Sequence, residues 1–264
     1  MKFQVLLSAM FLEDESYIDT LNITSDAVVI NQCDRNDERI VERRASDGRA
    51  QKVTYVETTE RGLSRSRNMA ISRSDADICI LCDNDVEYLP DYESRISEGF
   101  DKHPDADLIV FYIKRKEKPV PNYPSARRMG YLSVLKIFSP EVAFRKESIR
   151  DIGFDERFGA GSGRYLMGEE NIFLYDCLKK GLKIYYEPVM IAELRNEDST
   201  WFKGYDEEFF VSRGANYAAM SALGSYILIL QYALRKRYLY SETLTVGKAV
   251  RCMLKGRREL LSEG

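Results

Sequence analysis

Histidine is nearly absent from this chain: one in 264 residues, His103, which lies beside Pro104 and reads as a surface loop residue. A basic excess is missing as well. The net charge of -3 and a pI near 5.5 give no general field for nucleic acid, so any polyanion-binding surface must be local. The five cysteines, Cys33, Cys79, Cys82, Cys177 and Cys252, are odd in number and scattered, which excludes a secreted disulfide framework and fits a reducing compartment. Cys79 and Cys82 sit three apart on a strand, on opposite faces, with no second pair to complete a zinc site, and both read as core residues. The longest apolar stretch, Tyr217 to Leu234, is barely long enough to span a bilayer and is interrupted by Ser221, Gly224, Ser225 and Gln231. Phe3 to Leu12 has only Lys2 before it and no small-x-small site before Glu13-Asp14-Glu15, so a first strand is expected rather than a signal-peptide core. There is no internal repeat. The glycines of Asp155 to Gly163 are not followed by Gly-Lys-Ser/Thr, which excludes a P-loop and leaves a mobile lid or substrate wall.

What is present is a globular composition, 44% hydrophobic and 31% charged, with a mean hydropathy of -0.37. Short apolar runs of strand length alternate with helical periodicity. Strands are expected at Lys2–Met10, Ala27–Ile30, Lys52–Thr58, Asp77–Cys82, Asp107–Ile113 and Lys183–Tyr186, with Pro188 beyond the last. Helices are expected at Tyr17–Ile23, capped by Ser16, at Leu89–Phe100, and at Ile172–Lys180, closed by Gly181. Arg35–Gly48 is charged without periodicity and reads as a loop, as does the Pro-rich Lys114–Arg128. The alternation implies a mainly parallel α/β sheet flanked by helices. Composition shifts at Tyr205, dividing a domain at 1–204 from a helical, basic extension at 205–264.

Chemistry collects where strands end. Asp77-Ile78-Cys79-Ile80-Leu81-Cys82 runs straight into Asp83-Asn84-Asp85, two carboxylates one residue apart at the end of the sheet where α/β proteins bind ligands. They are either hard oxygen ligands for Mg²⁺ or Mn²⁺ or ordinary turn-formers. Asn31-Gln32-Cys33-Asp34 ends the second strand in the same way. Arg65 and Arg67 lie near the amino end of a helix, where cations oppose the helix dipole, so the segment is a diphosphate site or a solvated basic turn. Glu169 and Glu170 open another helix, where acids also serve as plain caps.

In order along the chain, Arg67-Asn68, Asp83-Asn84-Asp85 and Gly168-Glu169-Glu170 resemble the Arg-Asn helix start, the Asp-x-Asp motif and the Gly-Glu-Asp motif of family 2 of the inverting glycosyltransferases, the last with Glu for Asp. The resemblance spans roughly Phe3 to Trp201 and implies the GT-A nucleotide-diphospho-sugar fold. It implies Mn²⁺ or Mg²⁺ held by Asp85, with Asp83 on the ribose or reaching the ion through water. Gln32 and Asp34 would lie near the uracil and ribose, and Arg67, Asn68 and Asn84 would complete the donor site. Glu170 would be the general base and Glu169 would orient the acceptor. The substrates the resemblance implies are a UDP-sugar and a saccharide acceptor, with a lipid-linked oligosaccharide favoured by the family's role in bacterial polysaccharide synthesis.

One departure stands out. Many members carry a metal-binding histidine shortly after the last strand, where this chain reads Ile191-Ala192-Glu193-Leu194, leaving Glu193, water or a weaker metal dependence in its place. A sugar-1-phosphate nucleotidyltransferase would need a Gly-rich, basic loop after the first strand, and Met10-Phe11-Leu12-Glu13 is not one. A non-catalytic binding protein on the same fold is the other alternative. The basic tail, Arg235-Lys236-Arg237 and five further cations between Lys248 and Arg258, suits either peripheral contact with the inner face of the cell membrane through 217–258 or a packed helix with a solvated face. The expected location is the cytoplasm.

Overall fold

The structure, a computed structural model, describes residues 2–195, 202 and 204–263. Trp201, where the resemblance was expected to end, lies outside them. The chain forms two compact units, one made of 1–61, 65–153 and 177–197, the other of 62–64, 154–176 and 198–264.

The first unit is a ten-stranded mixed sheet. Its strands are β1 (Phe3–Met10), β2 (Asp26–Gln32), β3 (Asp37–Arg44), β4 (Ala50–Thr58), β5 (Ile78–Asp83), β6 (Val86–Tyr88), β7 (Leu108–Lys114), β8 (Arg127–Arg128), β9 (Val142–Arg145) and β10 (Ile184–Leu194). They lie in the order β3-β4-β2-β1-β5-β9-β7-β10-β6, with β8 also on β10. The β4-β2-β1-β5 block is parallel throughout, and both faces of its strands are buried, which explains why they read as continuous apolar runs. Antiparallel β9 separates this block from the parallel pair β7–β10. Val5, Leu7, Val29, Ile80, Phe111 and Ile191 contribute to the core beneath it. Helices α1 (Tyr17–Thr20), α2 (Leu63–Arg73) and α3 (Tyr92–Lys102) connect the strands. α3 buries Tyr92, Ile96, Gly99 and Phe100, one stripe at helical spacing.

The structure corrects several expectations. Arg35–Gly48 is not a loop: it contains β3, an edge strand paired antiparallel along all of Asp37–Arg44. The last strand does not stop at Tyr186 but continues through Pro188 to Leu194, with the β7 pairing shifting register between Tyr186 and Met190. A proline fits where the ladder is already interrupted. Helix α1 is a single turn, and Ser16 is at its amino end without a side-chain capping bond. His103 is not a free surface side chain. Its Nε2 lies 2.6 Å from Glu187 Oε1, and its ring stacks on Tyr185 with centroids 4.4 Å apart. All five cysteines are buried and unbridged; for Cys79 and Cys82 this is the expected core position.

The second unit holds most of α4 (Glu169–Lys179) and all of α5 (Glu207–Met220), α6 (Ser225–Arg235), α7 (Arg237–Tyr240) and α8 (Val246–Ser262). The apolar stretch 217–234 is thus two helices, broken at 221–224. Asp206 caps α5 by accepting from Phe209 N at 2.8 Å, and Thr245 caps α8. α5 and α8 approach closely through glycine: a Cβ on Gly214 would lie 1.9 Å from Met253 O, and one on Gly256 1.9 Å from Val211 O. The glycine-rich segment is tied by hydrogen bonds, with Gly159 N donating to Tyr165 O, Leu63 N to Ala160 O and Ser64 Oγ to Phe158 O.

Candidate active site

Topology defines a crevice before any side chain is considered. From β1 the chain moves outward through β2 and β4, then returns to place β5 on the other side of β1, so the switch point lies beyond the carboxyl ends of β1 and β5. Phe11 follows β1, Gln32 closes β2 and Asp83 closes β5. An aromatic ring, an amide and a carboxylate therefore reach one edge of the sheet.

Arg67 is the buried support of this edge. It is 2% exposed, and its Nη2 donates to Asp83 Oδ1 at 3.1 Å. Beside it Ser66 Oγ donates to Ser8 Oγ at 2.8 Å, and Ser8 is the register partner of Asp83. A solvated basic turn is therefore excluded for Arg67, while Arg65 is exposed. Asn68, about 100° further round α2, lies against Gly153, where an added Cβ would meet Asn68 Oδ1 at 3.2 Å. It lines a cavity of ≈ 880 Å³ together with Asp77, Lys146 and Arg150.

The Asn84-Asp85 turn is held from two sides. Tyr17 Oη donates to Asn84 O, and Arg195 N donates to Asp85 O, each at 2.8 Å. The Asp85 carboxylate itself has no hydrogen bond or ion pair to another side chain among the described residues. Burial and, secondarily, the charge of Asp83 raise its pKa to about 6. Two neighbouring carboxylates, of which Asp83 is paired with a guanidinium, leave a local negative charge at Asp85. That charge fits a cation bound by hard oxygens and completed by ligand or water, since among the described residues no three His, Cys, Asp or Glu form a metal-holding group. Glu193, the candidate replacement for histidine, is paired with Lys114 at 3.1 Å.

On the nucleoside side of the expectation, Gln32 is buried and Asp34 is exposed, its Oδ1 accepting from Arg61 Nη2 at 2.8 Å. Phe11 escaped the sequence reading. It is 60% exposed, sits at φ 52°, and has the Arg61 guanidinium 5.5 Å from its ring centroid. A large aromatic in left-handed backbone at a strand end is unusual enough to mark a functional surface.

In the second unit, Glu169 and Glu170 form the first turn of α4, behind Gly168 at φ 95°. Glu169 is buried against Gly159, where a Cβ would lie 3.1 Å from the carboxyl carbon, while Glu170 is partly exposed. Two buried residues one turn apart on α5 hold the approach to this turn. Asn216 Nδ2 donates to Gly168 O at 2.8 Å, and Ser212 Oγ accepts from Leu166 N at 3.1 Å. Both also escaped the sequence reading; two small polar residues at i and i+4 among the apolar residues of the helix were the available signal.

The sequence profile of glycosyl transferase family 2 matches residues 24–165, more than half of the chain. The chain belongs to this family. The glycosyltransferase has the GT-A fold of S. aureus TarS: TarS 1-349 in complex with UDP-GlcNAc aligns with a TM-score of 0.58 at 13% identity, over 100% of this chain and 91% of TarS 1-349. The complex of the same protein with UDP gives 0.60 at 14% identity, over 100% and 83%. The mannosyltransferase PcManGT from Pyrobaculum calidifontis, in complex with GDP-Man and Mn²⁺, gives 0.52 at 14%, over 100% and 76%. No curated protein matches the glycosyltransferase in sequence.

Proposed function

We propose that this enzyme is an inverting transferase that moves a sugar from a UDP-sugar to a saccharide acceptor. The observation that carries the reading is Asp85: a carboxylate without a counter-ion among the described residues, at the switch point and two residues from an aspartate bonded to a buried arginine. UDP is favoured because TarS, similar in fold along the whole chain, is known in complex with UDP and UDP-GlcNAc.

In this reading the Phe11 ring and Arg61 flank the base, Gln32 and Asp34 contact uracil and ribose, and Asn68 and Asn84 complete the donor site. Arg67 orients Asp83 toward the ribose. A divalent ion, Mn²⁺ or Mg²⁺, held by Asp85 with Asp83, would neutralise the charge that gathers on the departing diphosphate. The acceptor hydroxyl attacks the anomeric carbon from the face opposite the diphosphate. Its oxygen–carbon bond forms as the carbon–oxygen bond to UDP breaks, and Glu170 takes the hydroxyl proton. Glu169 orients the acceptor. The acceptor class we favour is a lipid-linked oligosaccharide of bacterial polysaccharide synthesis, met at the cytoplasmic face of the membrane, because the carboxyl-terminal helices are basic.

The test is nucleotide release from a panel of UDP- and GDP-sugars with and without Mn²⁺. Release from a UDP-sugar that depends on the ion and is lost in Asp85→Asn supports the reading. Release only from GDP-sugars would refute the choice of nucleotide, and release from none would favour a binding protein on this fold.

A further inference from the structure

Helix α6 carries apolar residues on two faces. Leu228, Ile229 and Ala233 are buried. Leu223, in the turn before the helix, and Ile227, Leu230 and Leu234 follow at intervals of four, three and four residues, one continuous stripe on the other side. These four are 84%, 74%, 55% and 58% exposed, so a row of large aliphatic side chains stands in water. Scattered exposed leucines need no explanation, but a continuous row on a helix does.

Along this stretch of the chain the charge is of one sign. No acidic residue occurs between Glu208 and Glu242, while Arg235, Lys236 and Arg237 directly follow the stripe and are exposed. Tyr238, 71% exposed, stands beside these cations. Aliphatic side chains next to a cluster of cations and an amphipathic aromatic ring match the layers of a lipid surface: acyl chains, phosphates and the headgroup boundary between them. A second copy seated on the same face would bring three more cations against these three.

We infer that the α6–α7 face is a docking surface for an anionic membrane, with Ile227, Leu230 and Leu234 entering the acyl boundary and Arg235, Lys236 and Arg237 meeting lipid phosphates. No helix among the described residues is long and apolar enough to cross a membrane, so the contact is interfacial. The inference rests on this surface alone and not on the transfer reaction, so its failure would leave the donor reading standing.

The experiment is flotation of the full chain with vesicles of phosphatidylcholine alone and with about one-third phosphatidylglycerol added. The chain should float with the anionic vesicles and be released by salt. Ile227→Gln/Leu230→Gln/Leu234→Gln should lower partitioning by about tenfold or more, and Arg235→Gln/Lys236→Gln/Arg237→Gln should remove the dependence on phosphatidylglycerol. Because all six side chains are exposed, both variants should keep the parent melting temperature and its response to UDP. Absence of flotation, or equal flotation by the aliphatic variant, would overturn the inference. So would a concentration-dependent dimer in sedimentation velocity that the aliphatic variant abolishes without any vesicle binding, which would assign the face to a second copy.

Discussion

Replacing Asp85 with Asn should stabilise the protein while destroying its function. The carboxyl titrates at about 6 rather than 3.8 because burial and Asp83 oppose its ionisation. Two pKa units correspond to about 3 kcal/mol, and solvent screening of this partly exposed group reduces the expected effect to about 1–2 kcal/mol. The sign follows from proton binding. Between pH 4 and 6 the folded state retains a proton that the unfolded chain releases, so stability falls as pH rises through this window, and the deficit is complete above it. Asn cannot ionise. At pH 7.5 without metal or nucleotide, Asp85→Asn should therefore melt about 2–6 °C above the parent, and the gain should fade as the pH is lowered from 6 toward 4. Adding Mn²⁺ and UDP should reverse the ranking, raising the parent's melting temperature and leaving the variant's unchanged. Calorimetry across pH, with and without these ligands, measures both effects. A variant no more stable than the parent at pH 7.5, or one equally stabilised by Mn²⁺ and UDP, would refute the view that Asp85 is held in an unneutralised state to receive a cation.

Asp83→Asn should have the opposite effect on stability, since it weakens the bond to a buried guanidinium; a loss of about 1–3 kcal/mol is expected in denaturant titration. Glu170→Gln should lower kcat by about 10²- to 10⁴-fold in a UDP-release assay, with UDP affinity by calorimetry unchanged. Asn216→Leu keeps the branched shape and heavy-atom count of the side chain but removes the donor to Gly168 O. It should lower kcat by about 10- to 100-fold with little change in donor KM, the mark of a misplaced carboxylate rather than a lost binding contact. Gly256→Ala would drive a Cβ into Val211 O and should lower stability by about 1–3 kcal/mol, measured by thermal melting.

The sheet's centre was legible because β1, β2, β5 and β7 are buried on both faces, and continuous burial leaves an unmistakable apolar run. Edge strand β3 was not. Its half-buried positions include Arg39 and Arg43, and Arg39 lays its guanidinium 4.4 Å from the Tyr55 ring centroid while pairing with Glu57. Long charged side chains cover apolar surface with their stems, so an edge strand built this way shows no alternation of hydropathy. His103 was misread for a related reason: its partners Glu187 and Tyr185 lie more than 80 residues away, and only the sheet brings them together.

The residues proposed to do chemistry are more conspicuous in the sequence than the contacts that support them. Asp83, Asp85, Glu169 and Glu170 announce themselves because acids collect where an apolar strand ends or a helix begins. What their supports touch carries no such mark: Arg67 stands out as a cation at a helix start, but its partner Asp83 is 16 positions away, and Asn216 lies 48 from Gly168. The two acid pairs are also supported in opposite ways. Around Asp83 and Asp85 one charge is paired and the next is left raised in pKa, an arrangement that costs stability and that the proposed cation would relieve. At Gly168-Glu169-Glu170 the backbone itself is fixed, by an amide from α5 bonded to a glycine carbonyl at a backbone angle few other residues adopt. An ion-binding carboxylate gains from an uncompensated charge, whereas a proton-accepting carboxylate gains from a fixed position. The two supports therefore follow from the two kinds of chemistry proposed for them.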